Sequence, residues 1–111
     1  MDRSTEFLAC SLRQGNPVRA KVAGLSMWPT FSPGDRVEVD PIADGVVPRP
    51  GDIVAVLAAT GIVVHRLVHA SAGRVVTWGD NAIAGDPPRG ATDVIGLVRP
   101  SRRRRRFFWL R

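Results

Sequence analysis

The chain has 111 residues, 44% of them hydrophobic, with 16 basic and 10 acidic side chains and a formal net charge of +6. That is enough apolar material for one core and too little length for two, which excludes both a disordered chain and a multidomain one. A single cysteine, Cys10, and two histidines, His65 and His69, exclude an internal disulfide and a set of zinc ligands, so no metal or cofactor is expected.

Asp2, Arg3 and Glu6 interrupt any apolar run at the N-terminus, so no secretory or membrane segment is expected there. Ser4 to Gln14 reads as a short helix. Ser4 caps it, Glu6 suits its first turn, Arg13 its last, Gly15 ends it, and Phe7, Leu8 and Leu12 share the face laid on a sheet edge. Residues 1–17 form this N-terminal unit.

From Pro17 the hydrophobic period changes to two. Val18, Ala20 and Val22 alternate with Arg19 and Lys21, and Val37 and Val39 with Arg36 and Glu38, the pattern of half-buried strands. Ile53 to Leu57 and Ile62 to Val68 are more continuously apolar, as central strands are. The uncharged stretch from Ile53 to Val64 is 12 residues long and is broken by Thr60-Gly61, well short of a membrane-spanning helix. Arg74 to Trp78 and Val94 to Arg99 complete a set of about six strands joined by Pro-Gly turns. The echo of Pro33-Gly34-Asp35 in Pro50-Gly51-Asp52 reads as two similar turns entering strands, not as an internal repeat. The expected fold is mainly β, a coiled or partly closed barrel over residues 18–98 behind a short N-terminal helix.

Residues 99–111 carry seven arginines and no acid, which leaves nine basic groups against ten acidic ones in the body. The basicity therefore belongs to the tail. Its run Arg102 to Arg106, followed by Phe107, Phe108, Trp109, Leu110 and Arg111, suits an anionic membrane surface or a partner protein better than nucleic acid, although a solvated arginine run needs neither. The core is expected to be soluble, cytoplasmic or peripherally membrane-associated.

The most informative text runs from Gly24 to Val39, where Gly24-Leu25-Ser26-Met27-Trp28-Pro29-Thr30 presents a serine in a loop before the Pro-Gly-Asp turn. Val64-His65-Arg66-Leu67-Val68 follows, then Thr77-Trp78-Gly79-Asp80-Asn81 and Asp86. In that order these segments, spanning about residues 18 to 98, resemble the signal peptidase I family and its relatives, the self-cleaving repressor domains. The one lysine, Lys21, lies before the serine, and His65 stands where the lysine-type members carry their base. The resemblance is therefore to the histidine-type branch.

That resemblance implies Ser26 as nucleophile and His65 as base, with Asp86 orienting His65 and Asp80 holding the turn that carries it. The chemistry is consistent on its own terms. A serine hydroxyl attacks a carbonyl only when a neighbouring base takes its proton, neutral imidazole suits that task at neutral pH, and a carboxylate on the far ring nitrogen fixes the tautomer. Either Asp80 or Asp86 has the chemistry to serve as that carboxylate. Gly24 stands where many signal peptidases carry a serine whose hydroxyl helps hold the oxyanion, so that duty falls to backbone N–H groups, that of Ser26 among them.

The implied substrate is an extended peptide or precursor-protein leader, cleaved after small residues and bound as an added strand beside Gly24, Leu25, Met27 and Trp28. Two alternatives stay open. A self-cleaving repressor-type domain is disfavoured by the missing lysine base and by the 23 residues before Gly24, too few for a helix-turn-helix. A peptide-binding module that keeps the fold without turnover is the other.

Overall fold

The computed structural model describes residues 3–43 and 47–101. The reading of the arginine-rich tail falls on residues 102–111 and lies outside them. The described chain is one helix and seven strands: α1 (Arg3–Arg13), β1 (Val18–Lys21), β2 (Arg36–Pro41), β3 (Ile53–Ala58), β4 (Gly61–Ser71), β5 (Arg74–Trp78), β6 (Arg89–Gly90) and β7 (Val94–Pro100), with a short 3-10 turn at Ala91–Asp93. The strands form a single antiparallel sheet in the order β1-β2-β7-β3-β4-β5-β6, curled into a half-barrel.

The apolar runs of β3 and β7 follow from their central places. Val54 and Val56 of β3 join Leu67 and Val75 in one cluster, while Ala55, between them, turns to a second cluster with Val37, Val39, Ile95 and Val98. A strand buried on both faces has no polar alternation to display. Among the described residues Met27, Val37, Val54, Val56 and Leu67 are essentially inaccessible, and burying side chains of this size stabilises by about 1.5–3 kcal/mol each.

Several elements differ from the sequence expectation. The helix begins at Arg3, so Ser4 lies in its first turn and does not cap it. Its docked face is Ala9 and Leu12 with Leu8 beside them, whereas Phe7 is 69% exposed. The small Ala9 lets the helix backbone approach the sheet, and that choice of face turns Phe7 outward. The two-residue strand β6 is a seventh strand, paired with β5 through Arg74 and Val75, and β7 runs to Pro100, one residue beyond the expected Arg99.

The Pro-Gly-Asp echo is one turn used twice. Asp35 accepts from the Ser32 N–H at 2.8 Å and Asp52 from the Arg49 N–H at 2.9 Å, each closing the turn that feeds its strand. Among the described residues no helix is long and apolar enough to cross a membrane.

Candidate active site

Ser26 is exposed on the loop of residues 22–35 between β1 and β2. The neck of that loop extends the β1–β2 ladder, with the Val22 N–H donating to Asp35 O at 2.9 Å and the Gly34 N–H to Val22 O at 2.8 Å. Met27 and Phe31 turn inward to the core at 1% and 4% exposure and anchor the loop from below. Leu25 and Trp28 stay on the surface on either side of Ser26 and Met27. Gly24 adopts φ 77°, a left-handed conformation that disfavours a side chain, which gives a local reason for glycine at this position.

A second loop, residues 79–86, is tied to the first. The Asn81 N–H donates to Ser26 O at 2.8 Å, Asn81 Nδ2 to Leu25 O at 3.1 Å, the Asp80 N–H to Met27 Sδ at 3.5 Å, and Thr30 Oγ1 to Asp80 Oδ2 at 2.5 Å. Arg66 completes the fastening. Its Nε and Nη2 grip the two oxygens of Asp80 at 2.8 and 2.7 Å, and its Nη1 donates to Gly51 O at 2.8 Å. The hydrogen bond from Arg66 is the largest influence holding the Asp80 carboxyl below its ordinary range. Asp80 is thus the bolt between two loops and β4.

The carboxylate that meets His65 is Asp86. Its Oδ2 lies 2.5 Å from His65 Nδ1 and accepts the Thr77 hydroxyl at 2.7 Å, while its own N–H donates to Thr77 O at 2.9 Å. Burial on its own would raise the pKa of Asp86, but the hydrogen bonds from Thr77 and His65, with the nearby Arg89, outweigh it and hold the carboxyl below its ordinary value. An ionised carboxylate only accepts, so Nδ1 carries the ring proton and Nε2 of neutral His65 keeps its lone pair.

That Nε2 and Ser26 meet at Gly79. A Cβ built on Gly79 would sit 3.1 Å from His65 Nε2, 3.3 Å from Ser26 Cβ and only 2.7 Å from Ser26 O. Both side chains therefore converge on one point, and only a residue without a side chain fits there. Ser26 and His65 stand at one end of a groove of about 410 Å³ whose floor includes Met27.

Sequence reasoning assigns no role to Thr77 or Thr30. Thr77, at 2% exposure, reads as an ordinary β-branched strand residue, and its bond to Asp86 depends on a loop that returns nine residues later. His69, by contrast, is exposed within the longer-than-expected β4.

No protein-family model matches this chain, and no curated protein matches it significantly.

Proposed function

We propose that the protein is a serine endopeptidase similar to the histidine-type signal peptidases, cleaving a leader or signal peptide from a precursor. The observation that carries the reading is the grouping of Asp86, His65 and Ser26, with the carboxylate on Nδ1 and the hydroxyl-bearing residue packed against the same glycine as Nε2.

In this reading His65 Nε2 takes the proton of Ser26 Oγ as that oxygen bonds to the scissile carbonyl carbon, and Asp86 stabilises the imidazolium that results. The imidazolium then gives the proton to the leaving amine as the C–N bond breaks. Water, deprotonated by the same imidazole, hydrolyses the acyl-serine. Gly24 supplies no hydroxyl for the oxyanion, so backbone N–H groups around Ser26 carry that charge. The groove supports an extended occupant, because it runs from Ser26 and His65 between β1 and β4 and is lined mainly by aliphatic side chains.

A fluorophosphonate probe tests this directly. Wild-type protein should be labelled on Ser26, and Ser26→Ala should not be labelled while retaining its fold. No labelling of folded wild-type protein at any pH would favour the non-catalytic peptide-binding module instead.

A further inference from the structure

The groove that opens at Ser26 and His65 has a second end, and α1 occupies it. One wall is β1 with Val18 and Val22, the other is β4 with Ile62 and Val64, and Leu8 and Leu12 of α1 line the same space. Both strands run towards the polar end, β1 from Val18 to the Ser26 loop and β4 from Gly61 to His65. Both therefore start beside α1. The helix leads into β1 through residues 14–17, and a Cβ on Gly61 would stand 3.5 Å from Thr5 Oγ1, which sets the first turns of α1 against the start of β4.

A strand advances by about 3.3 Å per residue, so the wall from Val18 to Val22 is roughly 13 Å long and matches about four extended residues. Its character is equally defined. Lys21 alone among the lining residues carries a fixed charge, and the outer edge of β1 has no strand partner among the described residues. Backbone pairing with that edge and aliphatic side chains facing the walls are what such a channel accepts.

We propose that α1 is the blind end of this peptide groove: an uncharged aliphatic segment of about four residues ahead of the cleaved bond fills it, and Leu8 and Leu12 set the side-chain size accepted farthest from Ser26. The occupant is taken from the peptidase reading above, but the limit on its length and size comes from α1. Leu8 is the side chain to change, because it is only partly buried, whereas Leu12 is a core residue at 4% exposure.

Binding to the full chain carrying Ser26→Ala separates this from turnover. Capped peptides with two to eight aliphatic residues ahead of an alanine, titrated by calorimetry, should tighten about tenfold between two and four residues and change less than about twofold beyond. Adding Leu8→Ala should move the preferred residue at the far position from valine towards leucine and phenylalanine, and Leu8→Phe should move it towards alanine. Affinity that keeps rising with length, a size preference unmoved by both Leu8 variants, or no peptide binding at all would overturn the proposal. Binding with these preferences in a protein whose Ser26 never acylates would instead sink the peptidase reading and leave the groove assignment standing.

Discussion

Arg66 and Arg99 make almost the same bonds in two regions of the sheet. Each aims Nε and one terminal nitrogen at an aspartate, Arg66 at Asp80 and Arg99 at Asp40, and each reaches one further acceptor, Gly51 O for Arg66 and Glu38 for Arg99. Glu38 and Arg99, however, are already opposite each other in the β2–β7 ladder, as are Asp40 and Leu97. The strand register holds those groups together whether or not the ions pair. Asp80 has no ladder to place it and belongs to a loop that reaches the Ser26 segment only through side chains and isolated backbone bonds. What an ion pair is worth depends on what else holds its partners, and the two arginines test that from opposite sides.

The largest effect is expected at the centre of the loop cluster. Asp86→Asn keeps the size of the side chain but presents His65 Nδ1 with a group that also donates, so the tautomer with a free lone pair on Nε2 is no longer enforced. Labelling of Ser26 should slow by about three to four orders of magnitude, with the thermal midpoint changed far less. A rate within about tenfold of wild type would move the orienting role away from Asp86.

Gly79→Ala comes next, because the added methyl would lie 2.7 Å from the Ser26 carbonyl oxygen and crowd His65 Nε2. Both loops must separate to admit it. A shift of even an ångström at a reacting centre costs about a hundredfold in rate, and overpacking costs about 1–3 kcal/mol of stability. Labelling kinetics and a urea titration on one preparation measure both. An alanine tolerated in both assays would mean that the loops do not meet as described.

Asp80→Asn should act through placement. Removing the charge leaves Arg66 without its bidentate partner, for a stability loss on the order of 1 kcal/mol, since the Arg66 side chain is a third exposed, and the labelling rate should fall about tenfold. The pH dependence has a definite sign. The folded pKa of Asp80 lies below its unfolded value, so the stability it contributes is present above the unfolded value of about 3.9 and is lost as pH falls through the folded one. The gap between wild type and Asp80→Asn, measured by denaturant titration, should be full at pH 7 and close as pH falls below the ordinary carboxylate range. A gap independent of pH would assign the loss to packing.

The order of Ser26, His65 and Asp86 is readable because short motifs carry turn chemistry and side-chain type together. The period-two alternation of Val18, Ala20 and Val22, and again of Val37 and Val39, marks the strands around the serine loop. What stays hidden depends on tertiary partners. Thr77 looks like any β-branched strand residue until the loop brings Asp86 back to it. Phe7 outranks Ala9 in hydrophobicity, yet close approach of α1 favours the small residue, and the placement of Leu8 at the end of the groove follows from that docking alone. Arg89–Gly90 has no pattern of its own and becomes a strand only because β5 has an edge to pair.

Arg99→Ala should show the smallest effect and so closes the comparison. Its side chain is 49% exposed, Arg19 remains 3.6 Å from Glu38, and the β2–β7 ladder persists without it. Exposed pairs of this kind trade modest attraction against side-chain entropy and solvent screening. The thermal midpoint should therefore move too little to resolve, any difference should shrink further as salt rises, and Ser26 labelling should stay at the wild-type rate. A destabilisation as large as that of Asp80→Asn, or a slowed acylation, would show that the outer network supports the site across the sheet, and that register alone does not hold β2 against β7.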